Sequence, residues 1–131
     1  MHGWPQLAST VATVYYALPA AQRDQAAIVA SNYGEAAAID FFGPQYGLPP
    51  ALSGHNNYWL WGTKGYSGNV VVDVNGDCGR HDFPGLFRNT RVATYLDAPW
   101  VISYEQQIPI SVCIGINRPL PEVWPKLRAY I

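Results

Sequence analysis

Two short stretches of this chain concentrate groups able to bind a ligand or do chemistry: Asn32-Tyr33-Gly34-Glu35 and Gly54-His55-Asn56-Asn57-Tyr58-Trp59-Leu60-Trp61. The amides of Asn32, Asn56 and Asn57 donate and accept at once, and the carboxylate of Glu35 accepts in a fixed plane. Tyr33, Tyr58, Trp59 and Trp61 offer flat apolar faces beside them. That mixture suits a sugar or another polyhydroxylated ligand. Glu35 and His55 are the residues a catalytic reading would use, as an acid/base pair working near neutral pH.

Each of these residues also has a purely structural use. Asn32 and Asn57 stabilise turns, Gly34 permits a tight bend, and Trp59 and Trp61 fill cores. A lone loop histidine is commonly a hydrogen-bonded structural residue. Taken together, so many polar groups in two short loops favour a binding site, since such sites pair apolar walls with a few polar groups.

A third stretch, Asp77-Cys78-Gly79-Arg80-His81-Asp82, holds a cysteine near a histidine, the ingredients of an activated thiolate. The blander expectation is a solvated loop with an incidental thiol. Cys78 lies in a polar, glycine-flanked segment and Cys113 in an apolar run, so the two read as free thiols lying apart, with a disulfide as the alternative. The segment lacks the three or four ligands of a zinc site. No G-x-S-x-G, G-x-G-x-x-G or P-loop pattern occurs, and no cofactor or metal is expected.

The elements that must position these loops are legible from periodicity. Leu7, Val11, Val14 and Leu18 recur at helical spacing between Pro5 and Pro19. Ala26 to Ala30 reads as a buried strand. Glu35 through Phe42 reads as a helix with a carboxylate in its first turn, where it complements the helix dipole, and Gly43-Pro44 ends it. Ala51-Leu52-Ser53 is a short extended piece. Val70 to Val74 is the clearest strand, being nearly continuous in β-branched residues. Arg91 to Tyr95 and Ile108 to Ile114 read as later strands. Pro125 breaks the tail, which carries Leu120, Val123, Trp124 and Leu127 on one stripe, into two short turns or a kink. This order predicts a single α/β domain over 1–131, a small three-layer sandwich with a mostly parallel central sheet. Right-handed crossovers would bring the loops after the first three strands to the carboxyl edge, where open α/β sheets bind ligands.

Composition bounds the partners. Eight basic and nine acidic residues give a net charge of −1 with no basic stripe, which argues against nucleic acid. Charged residues are only 13% of the 131, against roughly 25% in ordinary domains, so part of the surface is expected to meet something else. No apolar run reaches the roughly eighteen residues a membrane span needs. The first residues lack the pattern of a signal peptide.

A family resemblance joins these observations. Ala30-Ser31-Asn32-Tyr33-Gly34-Glu35-Ala36, Gly47-Leu48-Pro49-Pro50 and, most specifically, Ser53-Gly54-His55-Asn56-Asn57-Tyr58-Trp59-Leu60-Trp61-Gly62 resemble the C-terminal soluble region of bacterial family 39 membrane glycosyltransferases, the dolichyl-phosphate-mannose mannosyltransferase-like proteins. Tyr104-Glu105, Ile108-Pro109-Ile110, Val112-Cys113, Pro119-Leu120 and Trp124-Pro125 continue it. The likeness runs from about Arg23 onward and lapses between Asp77 and Ile102, and at Ile114, where a basic residue is expected. It implies an extracytoplasmic accessory domain that binds or positions a glycan or glycosyl acceptor. The lipid-linked donor and the catalytic carboxylate would belong to a membrane portion outside these residues, so no catalytic residue carries over. The alternatives are a small stand-alone enzyme using Glu35, His55 or Cys78, and a structural capping module.

Overall fold

The computed structural model describes residues 3–53, 65–78, 83–97 and 107–126. The first helix, α1 (Trp4–Ala17), starts with Pro5 in its first turn, where a missing N–H is harmless. It ends as Leu18 turns extended ahead of Pro19, the conformation that a following proline favours. Its buried face is Leu7, Ala8, Val11, Ala12 and Val14. A single turn, α2 (Ala20–Arg23), leads into strand β1 (Ala26–Ala30), every residue of which is buried.

Helix α3 (Tyr33–Phe42) follows β1 directly and runs into a 3₁₀ turn, Gly43–Tyr46. Gly47 then adopts φ +71°, and a Cβ there would stand 2.7 Å from Tyr16 Oη, so glycine is needed on both counts. The Tyr16 hydroxyl donates to Tyr46 O at 2.6 Å, fastening this turn to α1. Strand β2 (Ala51–Ser53) is tied to α3 by its Ala51 N–H, which donates to Asp40 Oδ1 at 2.8 Å. Strands β3 (Val70–Val74), β4 (Phe87–Asp97) and β5 (Gln107–Ile116) follow, then a short helix α4 (Leu120–Val123) and a 3₁₀ turn Trp124–Lys126. The expected break at Pro125 is that change of helix type.

The sheet order is β2-β1-β3-β5-β4. β1 pairs in parallel with β2 and with β3, Ile28 standing opposite Ala51 on one side and Val72 on the other. β5 runs against both of its neighbours, β3 and β4. The domain is therefore α/β with a mixed sheet, two pairings parallel and two antiparallel. The expected mostly parallel sheet holds for the first three strands only. A parallel return needs a crossover of a dozen or more residues, usually a helix, and among the described residues none stands between β3 and β5. Ala93 is an extra residue in β4, between the pairs Val92–Ser111 and Thr94–Ile110, and so forms a β-bulge.

Both sheet faces carry apolar cores. One joins Ile28, Val70, Val72, Ile110 and Val112 to α1 and α3 through Leu7, Val11 and Ile39. The other joins Ala27, Val29, Leu52 and Val71 to Leu86, Leu120, Val123 and Trp124. Strand residues alternate between them, as a pleated strand covered on both sides requires.

Candidate functional site

Because β1, β2 and β3 are parallel, their carboxyl ends share one edge, reached at Ser31, Ser53 and Asn75. The first loop of the sequence reading lies there. Asn32 is the N-cap of α3, with its Oδ1 accepting from Glu35 N–H at 2.9 Å. Asparagine is favoured there because its side-chain oxygen satisfies a helix N–H that otherwise lacks a partner. Tyr33 and Gly34 form the first turn of the helix. Glu35 stands three residues past the cap, the position of the acidic partner in a capping box.

Capping alone does not account for Glu35. Capping carboxylates ordinarily sit in water, whereas Glu35 is only 3% exposed. Its Oε2 accepts from Asn75 Nδ2 at 2.9 Å, and its Oε1 has no hydrogen-bond partner. Burial raises its pKa to about 7; the Asn75 bond and the backbone N–H groups of Ser31 and Asn32 oppose the shift, and the nearby Asp73 charge adds to it. A buried acid is favoured in its neutral form because the ion loses its hydration.

Asn75 is itself held firmly. It sits at φ +62°, a conformation asparagine tolerates better than most residues. Its N–H donates to Pro109 O at 2.8 Å, and its carbonyl accepts from Ser31 Oγ at 2.5 Å. Ser31 N–H donates to Val74 O at 3.1 Å, so the ends of β1 and β3 are laced together.

Just inside this edge is a second buried acid. Asp73, on β3, is 1% exposed; its Oδ2 accepts from Cys78 N–H at 2.7 Å and its Oδ1 has no partner. Burial raises its pKa to about 7, the Cys78 N–H pulls it down and Asp77 pushes it up. A Cβ on Gly76 would meet Asp73 Oδ1 at 2.5 Å, so only glycine lets the turn close over this carboxyl.

That turn also corrects the expectation of free, separated thiols. Cys78 and Cys113 form a disulfide with Cα atoms 6.3 Å apart. Cys113 lies opposite Val71 on β5, next to β3. The positive-φ residues Asn75 and Cys78 and the Asp73–Cys78 bond fold the chain back over the same face. An activated Cys78 thiolate is thus absent from this form. Asp73, Cys78 and Cys113 are close enough to hold a metal ion, but sulfurs joined to each other offer no thiolate.

The structure places Asn32 and Glu35 together at this edge. His55, Asn56, Asn57, Tyr58, Trp59 and Trp61 lie outside the described residues; β2, which precedes them, ends at the same edge with Ser53. Ser31, Asp73 and Asn75 are the polar residues of the edge that sequence reasoning passed over. One signal was available: Asp73 is a lone charge within an otherwise unbroken valine strand, and charged residues are almost never fully buried without a reason. Comparison of the chain with models of protein families, with curated proteins and with solved structures finds no match.

Proposed function

We infer that the chain is an extracytoplasmic accessory domain like those of family 39 membrane glycosyltransferases, and that its carboxyl edge binds the hydroxyl groups of a glycan or glycosyl acceptor. The observation that carries this reading is Glu35 Oε1. It is a buried oxygen without a partner, at the edge where three parallel strands end. Buried polar atoms are nearly always satisfied, and an orphan is an expected place for a ligand or ordered water. A sugar hydroxyl can donate to Glu35 when it is ionised and accept from it when it is protonated. Asn75 Nδ2 holds the carboxyl directly, and the Asn32 cap fixes the helix turn that carries it.

Two further features support the reading. The disulfide suits an oxidising compartment outside the cytoplasm. Among the described residues no helix is long and apolar enough to cross a membrane, in keeping with a domain that works beside a membrane portion. On this reading the fold is a small three-layer sandwich whose thinner outer layer is α4 with residues 83–86.

The test is an NMR titration of the ¹⁵N-labelled chain with free hexoses and short glycans. Saturable shifts confined to Ser31, Asn32, Glu35, Asn75 and the segment 54–64 are expected, with Glu35→Gln weakening binding about tenfold, the effect of losing on the order of 1.4 kcal/mol. No saturable shift at any glycan would sink the proposal. A second reading, with Glu35 as a general acid, is favoured by its pKa of about 7, near the working pH such a group needs.

A further inference from the structure

We propose that the Cys78–Cys113 disulfide is an exchange site for small thiols, entered from the cleft beside Cys78, with Asp73 as the acid that protonates the leaving sulfur of Cys113. Four observations carry it. The cleft, of about 210 Å³, is lined by Gly76, Asp77, Cys78, Arg91, Tyr95 and Ser111. It touches Cys78, which is 4% exposed, and not Cys113, which is fully buried. A carboxylate oxygen of Asp73 and both sulfurs all lie within 4.8 Å of one another. Asp73 is held in place by the Cys78 N–H at 2.7 Å, while its Oδ1 has no partner. Cys78 adopts φ +60°, a left-handed conformation that costs a non-glycine residue energy and clusters at functional sites.

A structural disulfide needs none of this; hydrophobic neighbours suffice. A buried acid beside it answers a specific difficulty. In thiol–disulfide exchange an incoming thiolate attacks one sulfur and the other departs as a thiolate. Attack through the cleft falls on Cys78, so the departing sulfur is Cys113, and an anion buried there has no solvent. A protonated Asp73 removes that cost by giving up its proton as the bond breaks.

The balance is complete. The external thiolate forms a bond to Cys78 Sγ, the Sγ–Sγ bond breaks with its electron pair moving to Cys113 Sγ, and the Asp73 proton moves to that sulfur, directly or across one water. A second thiolate then attacks the external sulfur of the mixed disulfide and releases Cys78 as a thiolate, which takes a proton from water, as does Asp73. The protein disulfide gains two electrons, and two small thiols lose them as they join.

The surroundings keep Asp73 neutral up to about pH 7. Burial is the largest influence and Asp77, in the same turn, adds to it. Glu35, on α3, feels the charge of Asp73 across the sheet edge. From β4, Arg91 lines the cleft, and from β5 the facing groups are Ser111 and Cys113.

The experiment follows reduction of the folded, disulfide-bonded chain by dithiothreitol and by reduced glutathione, counting free thiols by alkylation and intact mass between pH 5.5 and 8.5. Expressed per thiolate, the rate constant should fall at least fivefold as pH rises through about 7. Asp73→Asn should flatten that profile and lower the rate at pH 6 by tenfold or more. Val92→Trp, at a cleft-lining position on β4, should slow both reductants at every pH. A profile that is flat in the unmodified chain overturns the proposal even if Asp73→Asn does not fold. So does a rate equal to that of global unfolding measured by amide exchange, or one unchanged by Val92→Trp.

Discussion

At the scale of single residues, two buried acids with raised pKa values set the response to pH. Their ordinary values are 4.5 for Glu35 and 3.8 for Asp73, and both rise to about 7. The folded state therefore binds protons more tightly than the unfolded chain. Stability is highest below the ordinary values and is lost as pH rises toward 7. At about 1.4 kcal/mol per pH unit of difference, each acid costs on the order of 3 to 4 kcal/mol above pH 7, Asp73 the more. Thermal melts should show Tm falling between pH 4.5 and 7.5. Glu35→Gln and Asp73→Asn should each flatten part of that fall and raise Tm at pH 8. A Tm that climbs with pH over this range would show that neither acid is held neutral by its surroundings. Asn32→Ala removes the N-cap of α3 and should cost about 1 kcal/mol in chemical denaturation, and more if Glu35 loses its alignment with it.

Between elements, the disulfide is the strongest single constraint. It closes a 35-residue separation and joins the turn after β3 to β5. Chain-entropy arguments for a loop of that size give about 3 to 4 kcal/mol, so Cys78→Ser should lower the unfolding free energy by that order in a denaturant titration. A loss below about 1 kcal/mol would mean that the turn is held mainly by Asp73 and Gly76. The elements were unevenly legible in the sequence. β1 and β3 were plain because strands buried on both faces are continuously apolar, and their predicted bounds match those observed. β4 was visible only as Arg91 to Tyr95 although it spans Phe87–Asp97. It stands at the end of the sheet order with mostly exposed side chains, so no burial pattern marks its ends. The disulfide was open only as an alternative and the Asp73 turn was not legible, because both depend on two left-handed residues and on which strand lies beside β3. Asn32 and Glu35 were singled out as polar groups in a loop after a strand, and their cap pairing appeared only in the structure. Asn75 was missed because an asparagine just after a strand is an ordinary turn residue.

On the scale of the whole molecule, the sheet changes character at β3. To one side lie parallel strands, with α3 between β1 and β2, the arrangement that gathers loops at one edge. To the other lies an antiparallel pair that closes the disulfide and lines the thiol cleft. The proposed glycan site and the proposed exchange site thus occupy the two halves, meeting at the turn Asn75-Gly76-Asp77-Cys78. On the accessory-domain reading these 131 residues should not transfer a sugar from a polyprenyl-phosphate donor. Turnover by the purified chain, lost in Glu35→Gln, would move the assignment to the enzyme reading.

The extra residue in β4 interrupts the strand at the end of the sheet. A strand of 11 residues at a sheet end, with Tyr95 57% and Val92 47% exposed, is a template on which another chain can lay a strand. Ala93 interrupts it, and Arg88 and Arg91 add exposed positive charge on its Phe87 side. Excising Ala93 would restore unbroken alternation and turn one segment of β4 over, since a one-residue slip exchanges the two faces of a strand. The straightened edge would then seed end-to-end growth of sheets, visible as thioflavin-positive fibrils forming from otherwise folded protein.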